Sequence, residues 1–208
     1  MRDVADHSML AEGLHTLGLA NSPEVVSRLM AFTGELERWN RIYNLTSVPG
    51  GAPTISHHLL DSLAIAPMVF GDTVLDMGSG AGFPGIPLAI CLPDRHFTLL
   101  DSVGKKTRFL EHVRIKLGLA NLAVVQARAE DFAGQYDVIV CRGLGSLAEI
   151  ACMAAHLLAR SGRLFALKST IDEAETKEVA APFIVERIQP LAVPGVRAHR
   201  NLVVMKME

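Results

Sequence analysis

The chain has 208 residues, 50% hydrophobic and 20% charged, with a formal net charge of −2. A chain of this length buries enough surface to fold without disulfides or metals, and its composition excludes a disordered protein. The near-neutral balance excludes a strongly basic nucleic-acid binder, so any contact with RNA has to rest on a local patch.

Residues 1 to about 70 read as a helical extension. Ser22-Pro23-Glu24 supplies an N-cap, a proline at the first helical position and an acid in the first turn. Val25, Val26, Leu29, Met30, Phe32 and Leu36 follow at roughly helical spacing, and this helix is expected to fade near Trp39-Asn40. Pro49-Gly50-Gly51 marks a turn. His57 to Leu63 reads as a further helix that Pro67 would end.

From about residue 72 strands and helices alternate. Thr73 to Met77 (TVLDM) is a short buried-type strand, followed by a glycine-rich loop and a helix. His96 to Asp101 is the second strand. Lys105 to Leu117 is a helix with Gly118 as its C-cap. Ala123 to Ala127 and Tyr136 to Arg142 are the third and fourth strands. Leu147 to Ala159 is a helix, Arg163 to Lys168 the fifth strand, and Asp172 to Ala181 a polar helix closed by Pro182. Val185 to Ala192 and Asn201 to Lys206 complete the set.

Such alternation predicts a mainly parallel sheet with helices on both faces. The short link between the last two strands, around Pro194-Gly195, suits an antiparallel pair. The expected architecture is a Rossmann-like α/β domain over residues 71–208, with a seven-stranded, mostly parallel sheet and an antiparallel last strand. The helical extension over 1–70 joins it in a single compact unit.

Cys91, Cys141 and Cys152 form no CxxC pair, and their odd number argues against a disulfide framework. The opening residues MRDVADHSML lack an apolar signal region, and no apolar run approaches the ~18 residues needed to span a bilayer. A cytoplasmic protein with reduced thiols and no membrane partner is expected.

The strongest local signal is Val74-Leu75-Asp76-Met77-Gly78-Ser79-Gly80-Ala81-Gly82-Phe83-Pro84-Gly85. A hydrophobic strand runs into glycines and then into a helix, so backbone can approach a ligand beside free helical N–H groups. Gly80, Gly82 and Gly85 match G-x-G-x-x-G, and Asp101 follows about 20 residues on, where an acid takes ribose hydroxyls. The motif alone leaves both NAD and S-adenosylmethionine (SAM) open. Asp76 favours SAM, because its carboxylate would suit an ammonium and a sulfonium and repel a pyrophosphate. Ala129-Glu130-Asp131, after the third strand, offers acceptors for an adenine amino group.

With these motifs in view, the chain resembles the bacterial small-subunit ribosomal RNA guanine-N7 methyltransferases, the RsmG or GidB family. The residues concerned are Trp39-Asn40, Asn44-Leu45-Thr46, His58-Leu59-Leu60-Asp61-Ser62-Leu63, the DMGSGAGFPGIPLAI loop, Leu99-Leu100-Asp101-Ser102 with Lys105-Lys106, Ala129-Glu130-Asp131, Cys141-Arg142 and Leu167-Lys168. H-x-x-D-S-L together with G-x-G-F-P-G is the specific part. The resemblance implies methyl transfer from SAM to N7 of a guanine in 16S rRNA, conventionally position 527. It implies SAM contacts at Gly78 and Phe83, adenine contacts at Ala129 and Glu130, and Arg142 at the mouth shared by cofactor and substrate. Gly143, Gly145, Ser169 and Asn201 depart from the family's usual residues.

The expected cofactor site is therefore Asp76, Gly78, Gly80, Phe83, Asp101, Ser102, Ala129, Glu130 and Arg142, with no metal. N7 of guanine carries an in-plane lone pair and no proton, so no general base is needed. Arg142 and Lys168 are expected only to position the substrate, through a phosphate or the O6 edge. His58 and Asp61 share one helix face and are expected to make a local hydrogen bond. Lys105, Lys106, Arg108, Arg114 and Lys116, with Arg197, Arg200 and Lys206, are the basic residues available to RNA. The expected partner is 16S rRNA or the small ribosomal subunit, not DNA, and the expected state is a monomer. An NAD-dependent oxidoreductase and a non-catalytic SAM- or ribosome-binding module are the rival readings.

Overall fold

The computed structural model describes residues 2–47 and 50–208. Helix α1 (Arg2–Thr16) leads into α2 (Pro23–Tyr43), whose N-cap Ser22 accepts from the backbone N–H of Val25 and whose first residue is proline. The helix does not fade at Trp39-Asn40. It runs on to Asn44, which takes the left-handed conformation at φ 49° and closes the last turn. Asn40 is no breaker here, because its side chain grips Thr46, donating to the carbonyl and accepting from the N–H. Of the expected turn, Pro49 lies outside the described residues. A helical stretch follows, as α3 (Ala52–Thr54), a π-helical segment (Ile55–Leu60) and α4 (Asp61–Leu63). A 3₁₀ turn at Ala66–Met68 ends it at the proline.

The sheet holds β1 (Thr73–Met77), β2 (His96–Asp101), β3 (Leu122–Gln126), β4 (Tyr136–Arg142), β5 (Leu158–Lys168), β6 (Phe183–Pro190) and β7 (Asn201–Met207). Their spatial order is β3-β2-β1-β4-β5-β7-β6. β1 to β5 run parallel, and β7 is inserted antiparallel between β5 and β6. Helices α5 (Gly85–Cys91), α6 (Gly104–Leu117), α7 (Leu147–Ala154) and α8 (Glu173–Lys177) connect the strands. Gly118 caps α6 at φ 62°, as its position after Leu117 suggested.

Helix α7, strand β5 and helix α8 also differ from expectation. Helix α7 stops at Ala154, and β5 already begins at Leu158, which pairs with Tyr136 before the register resumes at Arg163 opposite Val138. Leu157 and Leu158 are buried, and an apolar run of this kind does not distinguish helix from strand by period. The polar helix after β5 shrinks to Glu173–Lys177.

Strand parity sorts the core into two layers, because successive side chains point to opposite faces. Val74, Leu99, Val138, Val140, Phe165, Leu167, Leu202 and Val204 face α5, α6 and the N-terminal helices. Leu75, Met77, Ile139, Cys141, Leu164, Ala166 and Val203 face α7. Leu10 and Leu14 of α1 and Leu29, Phe32 and Leu36 of α2 belong to the first layer, so the N-terminal helices share a core with the sheet. Cys141 is buried, and that burial pushes its thiol up to about 12, so it is inert as a nucleophile at neutral pH. Among the described residues no helix is long and apolar enough to cross a membrane.

Candidate active site

The sheet order reverses between β1 and β4, and in open α/β sheets ligands bind beyond the carboxyl ends of the strands at this point. A cavity of about 360 Å³ lies there, bordered by the ends of β1 to β4. Gly78, Gly80, Asp101, Ser102, Ala129, Glu130 and Arg142, all expected from the sequence, line it together.

The loop after β1 is folded onto β2. The N–H groups of Gly78 and Ser79 donate to the Leu100 carbonyl at 2.8 and 3.0 Å. Gly78 sits at φ 75°, and a Cβ built there would lie 2.5 Å from Leu144 Cδ1, itself on the cavity wall. Glycine thus keeps the backbone close and the cradle open. Asp101, buried at the end of β2, accepts from Gly80 N at 2.9 Å and Val103 N at 2.9 Å, with Lys106 Nζ at 3.4 Å. One carboxylate therefore fixes the glycine loop, the start of α6 and a lysine, while still bordering the cavity.

Asp76 and Phe83 are not on the lining. Asp76 shares the parity of Val74 and points beneath α5, fully buried, where Oδ2 accepts from Gly85 N at 2.9 Å and Oδ1 has no partner among the described residues. Burial raises this carboxyl to about 7. It braces the first turn of α5. Phe83 is buried and carries a stack: the His58 ring lies 4.5 Å away at 12°, and the Arg142 guanidinium sits 5.2 Å from the Phe83 centroid.

Arg142 reaches the cavity from the end of β4 and is held from the other side by the N-terminal helices. Its Nη1 donates to Asp61 Oδ2 at 2.9 Å and to the His57 carbonyl at 3.4 Å. Its Nη2 lies 3.0 Å from His58 Nδ1. A guanidinium has no acceptor, so His58 Nδ1 accepts and its Nε2–H donates to Thr46 Oγ1, 3.0 Å away. Burial, then Arg142 and His57, push His58 down to about 3, so the ring is neutral. The expected His58–Asp61 bond is replaced by this arrangement: both residues turn to Arg142.

Lys168 goes elsewhere. It follows Leu167 in β5 and so points to the other face, where Nζ donates to the Gly145 carbonyl at 2.8 Å and Glu175 Oε1 at 2.5 Å. Glu175 also accepts from Leu147 N, so this lysine ties the loop after β4 to α7 and α8 and does not border the cavity. Among the basic residues of α6, Lys105 donates to the Tyr43 carbonyl, Lys106 pairs with Asp101 and Arg114 with Glu111. Val103, Lys106, Arg128, Leu144 and Met153 line the cavity without having been singled out as cofactor contacts. Val103 and Arg128 were legible as neighbours of Ser102 and Ala129, whereas Met153 arrives from α7 and gives no local signal.

Comparisons with known proteins identify relatives of the chain. The family model GidB, described as rRNA small subunit methyltransferase G, matches residues 26–203. The chain is 42% identical over 204 residues to the "Ribosomal RNA small subunit methyltransferase G" of Aromatoleum aromaticum, covering 95% of this chain and 97% of that one. It is 40% identical over 200 residues to the protein of the same name from Erwinia tasmaniensis, covering 95% and 98%. Among solved structures it resembles the B. subtilis M1A22 tRNA methyltransferase TrmK, with TM-score 0.57 and 16% identity over 71% of this chain and 65% of that one. It also resembles coclaurine N-methyltransferase, with TM-score 0.59 and 14% identity over 90% and 73%. At these identities the structural likeness shows the fold alone, which is the Rossmann-like fold of SAM-dependent methyltransferases.

Proposed function

The chain belongs to the GidB family of rRNA small subunit methyltransferases, and from that membership we propose that it methylates N7 of a guanine in 16S rRNA with SAM as methyl donor. The observation that carries the reading is the cavity at the sheet's reversal point, where Gly78, Gly80, Asp101, Ala129, Glu130 and Arg142 converge.

The cradle fits SAM. The Cβ-free backbone at Gly78 leaves space that a side chain would fill, and Asp101 offers acceptor capacity beside Ser102 for ribose hydroxyls. Ala129 and Glu130, at the far wall, suit the adenine. SAM supplies an electrophilic methyl group on a sulfonium.

The protein's part is positioning and charge. The N7 lone pair attacks without losing a proton, so no residue has to act as a base. Consistent with that, His58 is neutral with both nitrogens engaged, so it is not poised to take a proton. Arg142, held rigid by Asp61, His58 and Phe83, presents a fixed positive edge where the guanine O6 would arrive. Rigid donors cost no reorganisation during reaction, which is the advantage of bracing this arginine from three sides.

The test is to incubate the protein with methyl-labelled SAM and small ribosomal subunits lacking the modification, then map the label. Label at N7 of one guanine of 16S rRNA, lost in an Arg142→Ala variant that still binds SAM, supports the proposal. SAM binding with no label on the RNA would sink the substrate assignment.

A further inference from the structure

The second arginine at this edge has no role in the reaction just described. Arg200 immediately precedes β7, and because β7 runs antiparallel its start lies beside the carboxyl end of β5, with Asn201 opposite Lys168. The inverted strand thus delivers Arg200 to the edge where Arg142 ends β4. The two guanidiniums meet on one carboxylate: Asp61 Oδ1 accepts from Arg200 Nε at 2.9 Å and Oδ2 from Arg142 Nη1 at 2.9 Å. The Asp61 side chain is 5% exposed, and each arginine side chain 20%.

One carboxylate cannot neutralise two guanidiniums, so the cluster keeps a net positive charge at the surface. Both arginines keep open donors, and among the described residues Arg142 Nε also has no acceptor, but Arg142 makes three hydrogen bonds and Arg200 two. Arg142 commits Nη1 to Asp61 and the His57 carbonyl, and Nη2 to His58. Arg200 commits Nε to Asp61 and Nη1 to the His199 carbonyl, while its Nη2 has no acceptor among the described residues. A fixed guanidinium with open N–H donors and uncompensated charge is a receptor for a tetrahedral oxyanion.

We propose that Arg200, held in place by Asp61, grips a phosphodiester of the RNA next to the guanine that enters the cavity. The inference rests on the rRNA methyltransferase reading. It divides the labour between the two arginines: Arg142 faces the base and cofactor, and Arg200 the backbone.

Counterion release supplies the test. Removing one phosphate-binding cation lowers the slope of log affinity against log salt by about 0.7 to 0.9. The KM for small ribosomal subunits lacking the modification is measured against monovalent salt for the wild-type protein, Arg200→Gln, Arg200→Met and Arg200→Lys. SAM affinity and melting temperature are measured alongside. The proposal expects both uncharged variants to raise KM several-fold at low salt and to shed the slope that belongs to a single phosphate. They keep kcat and SAM affinity, and Arg200→Lys keeps the slope. An unchanged slope in the uncharged variants overturns it, as does a matching loss of SAM affinity. If both uncharged variants lose the fold, Arg200 is a structural arginine and the proposal is likewise overturned. Failure of the wild-type protein to methylate these particles would instead sink the functional reading beneath it.

Discussion

Asp61 and Arg142, 81 residues apart in the chain, form a 2.9 Å ion pair that locks the N-terminal helices to the carboxyl end of β4. The pair is largely buried, and removing one partner of such a pair leaves an uncompensated charge. Asp61→Ala would leave Arg142 and Arg200 facing each other without their shared counter-ion. The expected cost is about 3 kcal/mol or more of stability, read by urea unfolding, with methyl transfer falling further than SAM binding. A variant as stable as the wild type would show that the two arginines find other partners.

His58 gives Arg142 an acceptor only while it is neutral. Because its pKa lies at about 3, below its ordinary value of 6.5, the unfolded chain binds more protons between those limits. Its contribution to stability is present above pH 6.5 and lost as the pH falls towards 3. Imidazole NMR should find one histidine that does not titrate between pH 5 and 8. His58→Phe keeps a ring on Phe83 but removes the acceptor. It should lower kcat more than it lowers SAM affinity.

Asp76 carries the opposite sign. Its pKa of about 7 exceeds the ordinary value of 3.8, so the folded protein binds the extra proton in that window. Its favourable contribution is complete below pH 3.8 and disappears as the pH rises through 7. Without cofactor, the melting temperature of the wild type relative to Asp76→Asn should therefore decline between pH 4 and 7. A difference independent of pH would mean that the carboxyl is ionised throughout.

Gly78→Ala places a side chain at φ 75° and against Leu144. The left-handed conformation alone costs about 1–2 kcal/mol. Gly118→Ala bears a similar strain at φ 62° with open space around it and no place on the cavity. Calorimetric titration with SAM should find affinity reduced about tenfold or more in the first variant and unchanged in the second.

Lys168→Met removes the tie between the Gly145 carbonyl and Glu175. It should lower the melting temperature by a few degrees and leave the salt dependence of KM intact, unlike the uncharged Arg200 variants. A reduced salt slope would show instead that Lys168 leaves Glu175 to bind RNA.

Much of this was legible in the sequence. Ser22-Pro23-Glu24 and Gly118 mark helix ends through local backbone chemistry, which any fold must obey. The alternating strands and helices, with a short final link, implied a parallel sheet with an inverted strand, and β7 is that strand. Gly78, Gly80, Asp101, Ser102, Ala129 and Glu130 each stand at or just beyond a strand's carboxyl end, so chain order alone gathers them at one edge.

Which charge meets which was decided by tertiary structure. Asp76 stands two residues before the glycines, yet its parity turns it under α5 and out of the cavity. Lys168 and Arg142 both end strands and were expected to act together, but their side chains leave opposite faces of the sheet. Asp61 and Arg200 are 139 residues apart and meet only because β7 is inverted beside β5. Periodicity and composition report each residue's local geometry and burial, whereas these pairings depend on strand order and direction across the whole sheet.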